Sequence, residues 1–139
     1  MATTPNFAAT PNSATATLVA TANTAFDGTG TMSTVITGGT NGTRIDMIVI
    51  SATATTTAGL VNLFISDTTA TNTAANTHLI RGNAILATTA SATVAPANVT
   101  LTTQTNPDFL PLFLPAGYTL RASTTVAQGF RVTVIGGDF

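Results

Sequence analysis

The sequence contains no cysteine, tryptophan, lysine or glutamate. Without cysteine the chain has neither a disulfide framework nor a thiolate metal site, so its stability must come from packing and strand pairing. Charged residues make up only 6 % of the chain, against about 25 % in a typical globular domain. The chain therefore has few residues with which to build an active site that needs several ionisable groups.

The scarcity of basic residues also argues against two classes of partner. Four arginines spread from Arg44 to Arg131 do not form the dense basic patch that a nucleic acid requires, and they do not form a polybasic membrane anchor. No apolar run reaches the roughly 18 residues of a membrane span. The first residues lack a basic segment followed by an apolar one, so we expect a soluble protein that is not exported through a cleaved signal.

Small uncharged side chains are abundant instead. Threonine fills about a quarter of the chain, and the apolar fraction of 44 % excludes a disordered polar segment. A length of 139 residues fits one domain. A net charge of −1 leaves little repulsion between copies, so we expect a protein that works within an assembly. The alternative is a monomer whose hydroxyl-rich surface is hydrated well enough to stay apart.

The residue pattern predicts an all-β fold, a single β-sandwich, with a jelly roll as its more specific form. β-branched residues occur throughout, and strand signals follow one another between Gly, Asn, Asp and Pro clusters. We expect about eight strands. The clearest lie at residues 44–52, 60–66 and 130–134, the first is predicted at 15–22, and weaker ones at 78–81, 85–89 and 99–104.

Residues 1–15 are predicted to be an extended N-terminal arm, and residues 16–139 the β-sandwich domain. Two Pro-Asn pairs in the arm disfavour a helix. Such an arm either frays, as termini usually do, or docks onto a neighbouring copy with Phe7 as its anchor. Both alternatives stay open at the level of sequence.

No motif predicts an active site. Asp27-Gly28-Thr29-Gly30 contains the residues of the aspartic-protease Asp-Thr-Gly in a different order and without a second copy, so we interpret it as an Asp-Gly turn. His78 has no nucleophile elbow to serve, because no serine stands in a Gly-x-Ser-x-Gly context. We predict no enzyme, no catalytic residue, no cofactor and no metal, although a metal shared between subunits stays open.

One pair of charges stands out on a predicted strand. Arg44 and Asp46 are two residues apart, so they share a face, and Arg121 is a candidate neighbour. They form either an exposed pair that contributes less than about 1 kcal/mol or an ion pair between subunits. Both faces of the strand at 44–52 are apolar, which indicates either a central strand that the chain itself covers on both sides or one that a partner subunit covers on one side.

Three segments together carry a family resemblance. They are the strand that starts Asn41-Gly42-Thr43-Arg44-Ile45, the turn Leu114-Pro115-Ala116-Gly117 and the end Gly136-Gly137-Asp138-Phe139. With the Thr-Ala-rich start, the chain resembles small virion proteins of tailed bacteriophages and prophages from about Ala22 onward. The resemblance implies a non-enzymatic structural protein, a capsid decoration (cement) protein. It also implies a homotrimer that is made in the host cytoplasm and binds the major capsid protein on the capsid surface.

This interpretation predicts five residues in subunit or capsid contacts: Phe7, Arg44, Asp46, Asp138 and Phe139. The alternative is a tail-fibre or receptor-binding module that contacts the host surface through a loop at 67–77. Sugar sites usually stack an exposed aromatic ring on the ligand, and a chain without tryptophan and with a single tyrosine is poorly equipped for this. An ice-binding protein would need regular Thr-x-Thr ranks, whereas the threonines here are irregularly spaced.

Overall fold

A computed structural model describes residues 9–18, 21–67 and 72–139. Two antiparallel sheets pack against each other, and these ranges contain no helix, so the predicted all-β sandwich is confirmed. The described strands are β1 (Thr10–Leu18), β2 (Ser33–Thr37), β3 (Thr43–Ala52), β4 (Gly59–Ser66), β5 (Thr77–Ile85), β6 (Asn98–Thr102), β7 (Leu112–Leu114), β8 (Thr119–Thr124) and β9 (Phe130–Asp138).

The strands divide between the sheets in a fixed order. Sheet A has the order β1-β9-β3-β6, and β7 pairs with the start of β3 beyond the end of β6. Sheet B has the order β2-β8-β4-β5. Strands that are far apart in sequence are therefore neighbours in space, and β9, the last strand, lies between β1 and β3 in sheet A.

The hydrophobic core lies between the two sheets and follows the alternation of each strand. β3 contributes Ile45, Ile48 and Ile50, which are fully buried. A β-bulge after Ile45 adds one residue to β3, and this explains why Ile45 and Ile48 face the core although they are three apart. The other strands add fully buried side chains, including Val61, Leu63, Leu120, Phe130, Val132 and Val134. Burial of each large apolar side chain contributes about 1.5–3 kcal/mol.

β5 differs from the sequence prediction of two short strands at 78–81 and 85–89. It runs without interruption from Thr77 to Ile85, and Gly82 lies within it. The long pairing with β4 overrides the weak strand preference of glycine. The register of this pairing shifts once, at a β-bulge opposite Leu63 and Phe64. Beyond Ile85, Thr88 forms only an isolated bridge to Thr56.

The first strand also differs from its predicted position at 15–22. β1 begins at Thr10, inside the segment that the sequence assigns to the arm, and pairs with β9 over its whole length. Pro11 is tolerated there because β1 is an edge strand with β9 as its single neighbour in the sheet. Phe7 lies outside the described residues.

Candidate contact surface

The outer face of sheet A is open to solvent over three consecutive rows of side chains. The register across β1, β9, β3 and β6 defines the rows, and every member whose side chain is described is exposed or half-buried. We call this surface the open face. Its rows are Ser13, Ile135, Met47 and Thr102; then Thr15, Thr133, Val49 and Thr100; then Arg131, Ser51 and Asn98.

Hydrogen bonds within the open face hold several of these side chains in place. The hydroxyl oxygens of Thr15 and Thr133 are 3.1 Å apart. The Asn98 amide donates to the Ser51 hydroxyl over 3.2 Å and accepts from the Thr100 hydroxyl over 3.1 Å. Side chains that are already ordered lose less conformational entropy when a partner binds. The open face is thus a flat, partly preorganised surface with one charged residue, Arg131.

An aromatic pair lies at one end of the open face. Phe113 on β7 is opposite Arg44 on β3, so both side chains point outward from sheet A. The Phe113 ring stacks on the Phe139 ring, with centroids 6.2 Å apart and planes 16° from parallel. Phe113 nevertheless remains 55 % exposed. We call Phe113 and Phe139 the aromatic pair; it extends the open face with a purely apolar patch.

The predicted ion pair forms next to the aromatic pair. Arg44 Nε donates to Asp46 Oδ1 over 2.8 Å, and the two side chains are 40 % and 44 % exposed. The pair is therefore solvated and contributes little to the stability of the isolated chain. It also balances its own charge, so this end of the surface stays neutral.

Arg121 is not a neighbour of that pair, and this part of the prediction is wrong. β8 belongs to sheet B, and Arg121 points away from the core on the far side of the sandwich. Its Nε donates to the Thr119 hydroxyl over 3.1 Å, and its Nη1 donates to the Asn72 side-chain oxygen. Sequence reasoning could not separate the two sheets, because strand order depends on long-range pairing.

Asp138 is held by hydrogen bonds inside the molecule. Its Oδ1 accepts from the Asn12 amide over 2.9 Å and from the Thr43 hydroxyl. These bonds stabilise the charged form, so the pKa of Asp138 lies below the ordinary 3.8, with the Asn12 bond as the largest cause. The carboxylate thereby ties β1, β3 and β9 together at one end of sheet A.

Phe139 is anchored through its backbone. Its amide donates to the Gly42 carbonyl over 3.2 Å, and the Asn41 side chain donates to the Phe139 carbonyl over 3.2 Å. Gly42 has φ of +95°, which an Asn-Gly turn accommodates. Arg44, Asp46 and Phe139 therefore lie together at one end of sheet A. Asp138 lies beside them, and its side chain is hydrogen-bonded to Asn12 and Thr43.

The sequence analysis missed Phe113 and Ile135 as surface residues. Both are large, apolar and exposed. The strict alternation of β9 places Ile135 opposite to Val134 and could have identified it. Phe113 was harder, because its exposure depends on the pairing of β7 with the beginning of β3.

Groups that could perform chemistry stand apart in the described ranges. Asp27 Oδ1 accepts from the Thr29 hydroxyl over 2.6 Å and from the Thr29 amide over 3.0 Å, which confirms the predicted turn and lowers the pKa of Asp27. His78 lies exposed on β5. Within the part of the chain that the structure describes, no three histidine or carboxylate side chains group as metal ligands.

Comparisons with known proteins give no relative from which a role could be transferred. No family model, no curated protein and no solved structure matches the chain. Residues 9–18, 21–67 and 72–139 include no helix that is long and apolar enough to cross a membrane.

Proposed function

We propose that the chain is a non-enzymatic structural protein of a bacteriophage virion, a capsid decoration protein that binds the head exterior and stabilises the shell. The observation that carries the proposal is the open face with the aromatic pair at its end. It is a wide, nearly uncharged sheet surface that combines hydroxyl groups with exposed apolar side chains. Exposed apolar patches of this kind mark interaction surfaces.

The chemistry of the surface fits a role in which many copies bind at once. Each threonine or serine hydroxyl both donates and accepts hydrogen bonds, so it matches either kind of polar group on a partner. An aromatic pair that fills an apolar depression supplies the larger share of the energy of a contact. Because many copies would decorate one shell, each contact needs only modest affinity.

The strand order supports the jelly roll as the finer form of the sandwich. With β7 set aside, the partners are nested: β1 pairs with β9, β2 with β8, β3 with β6 and β4 with β5. A long hairpin that rolls up into two four-stranded sheets produces this nesting, which is the connectivity of a jelly roll. Jelly rolls are common among viral capsid proteins.

The proposed partners are the major capsid protein and further copies of the same chain, arranged as a homotrimer. Two features support self-association. The net charge is −1, and the open face together with the adjacent Arg44–Asp46 pair carries charges of both signs, so copies do not repel each other. Binding through such a surface would hold neighbouring capsid subunits together against the outward pressure of packaged DNA.

A matched pair of surface variants tests the contact surface. Phe113→Ser should weaken co-sedimentation with purified, undecorated heads of the phage by about tenfold or more, because it removes the exposed ring from the aromatic pair. Leu86→Ser is the control: Leu86 is 75 % exposed but lies outside sheet A, just beyond β5. Its binding should stay within about twofold of wild type, since surface changes rarely alter the fold.

Equal binding by Phe113→Ser and wild type would contradict the assignment of this surface. Binding of the wild-type chain to host cells rather than to heads would instead support the receptor-binding alternative. Circular dichroism of both variants checks that the sandwich is retained.

A further inference from the structure

Sheet B differs from sheet A in that the outer side of its central strands is closed. The outward side chains of β4 are Asn62, Phe64 and Ser66, and those of β8 are Thr119, Arg121 and Ser123; all six are buried. Phe64 is fully buried yet does not belong to the core between the sheets. The sandwich therefore has a second buried layer, and most of this layer is polar.

The segments at 21–32 and 72–77 meet at this layer. The Asn72 side chain donates to the Gly30 carbonyl over 2.6 Å and accepts from Arg121. The Thr77 hydroxyl donates to the Ser66 hydroxyl over 3.0 Å. Most polar groups in the layer thus have partners within the protein, as buried polar groups must.

Asn62 and Ser123 are the exceptions. Asn62 is 0 % exposed and Ser123 is 2 % exposed, yet the Asn62 Nδ2 and Oδ1 atoms and the Ser123 Oγ atom have no hydrogen-bond partner among the residues that the structure describes. The two residues are directly opposite each other on β4 and β8, so their side chains share the outward face. Three unsatisfied groups at neighbouring positions are costly, because each loses its hydrogen bonds to solvent on folding.

There is space for a small molecule beside Ser123. A half-open pocket of about 20 Å³ beside Ser123 is lined also by Thr21, Thr31 and Ser33, and one water needs about 10–15 Å³ of such volume. On its other side Asn62 is opposite Gly82, which has no side chain; a Cβ there would lie 3.1 Å from Asn62 Oδ1. The missing side chain at Gly82 thus lets the Asn62 amide lie close to the β5 backbone, and the space for a water lies beside Ser123.

We propose that Asn62 and Ser123 form an internal hydration site that holds one ordered water molecule between β4 and β8. The amide group offers two donors and an acceptor, and the hydroxyl offers one of each, so the guest must both donate and accept. Water does both. A cation is disfavoured because Arg121 lies two residues from Ser123 on the same face, and an anion would leave Asn62 Oδ1 without a donor.

Water-selective nuclear Overhauser spectroscopy on the labelled wild-type chain tests the site. The Asn62 side-chain amide protons should show a cross-peak to water with the sign of a long-lived contact. Ser123→Ala should abolish that cross-peak and raise the unfolding equilibrium constant by about tenfold, since the amide loses its bridged partner. Ser13→Ala, a change of the same type on the exposed face of β1, should stay within about twofold.

The wild-type cross-peak decides the proposal even if Ser123→Ala does not fold. Its absence, or a direct hydrogen bond between Asn62 and Ser123 in a crystal structure at high resolution, would overturn the hydration site. A density peak within hydrogen-bond distance of both side chains would support it. None of these outcomes depends on where the chain acts.

Discussion

At the scale of single residues, the side chain of Asp138 links three strands at one end of sheet A. Asp138 accepts hydrogen bonds from Asn12 on β1 and Thr43 on β3, while it belongs to β9 itself. The Thr43 hydroxyl also accepts from the Gly39 amide over 2.9 Å. One carboxylate therefore connects three strands and a turn, and these contacts depend on its charge.

The stability of the chain should consequently depend on Asp138 at acidic pH. The folded-state pKa is below the unfolded value of about 3.8, so the unfolded chain binds the proton more tightly and folding is favoured at higher pH. This contribution is complete above about pH 5 and is lost as the pH falls through the lower folded-state pKa. Urea unfolding of Asp138→Asn between pH 6 and pH 2.5 should show a shallower loss of stability than wild type.

Asp27→Asn is the comparison for that experiment, because the pKa of Asp27 is lowered too, by Thr29 within a local turn. Removal of the Asp27 carboxylate should leave the pH-dependent contribution of Asp138 to stability unchanged. Identical pH profiles for wild type and Asp138→Asn would show that the connection between the three strands does not depend on the carboxylate.

At the scale of elements, the sequence predicted the strands better than their arrangement. Strict alternation in β9 and the two apolar faces of β3 follow from period-two patterning. β3 begins one residue before its predicted position at 44–52, whereas β9 extends four residues beyond the predicted 130–134. The division of β5 at Gly82 was wrong, since pairing with β4 is a long-range contact that local propensity does not contain. The Arg44–Asp46 pair was predictable from spacing alone, whereas Phe113 needed the pairing of β7.

The contact between the segments at 21–32 and 72–77 depends on glycine. Gly28 has φ of +88°, and a Cβ there would lie 1.9 Å from the Thr77 carbonyl oxygen. Gly28→Ala should therefore lower the free energy of unfolding by more than about 3 kcal/mol, because the backbone must move as well as accept strain. Chemical denaturation at neutral pH measures the loss.

Gly117→Ala provides the matched control for this substitution. Gly117 has φ of +77°, and no atom lies within 4 Å of the Cβ position. Only the backbone strain remains, which costs about 1–2 kcal/mol. If both variants lost the same stability, close packing of Gly28 against Thr77 would have no energetic role.

At the scale of the whole molecule, the two outer sides of the sandwich differ in their exposure to solvent. Over its central strands sheet B is closed by a buried polar layer, whereas the open face of sheet A remains accessible. The composition is consistent with this, since a chain with 6 % charged residues has little electrostatic repulsion between its copies. The sandwich therefore has one outer side whose central strands are buried and one outer side, the open face, that is open to solvent.

Self-association is the consequence that we propose for this surface. At micromolar concentration we expect sedimentation equilibrium to give the mass of three chains, each of 14.0 kDa. The association should weaken only slightly with added salt, because the open face is nearly neutral. A mass of one chain over the whole concentration range would favour the alternative of a hydrated monomer.

The most direct test of the account is immunogold electron microscopy of purified phage particles with an antibody against this chain. A capsid decoration protein present in many copies predicts dense label distributed over the head. Label confined to the tail tip would contradict the proposed position and support a role in adsorption, and particles without label would contradict a virion role altogether.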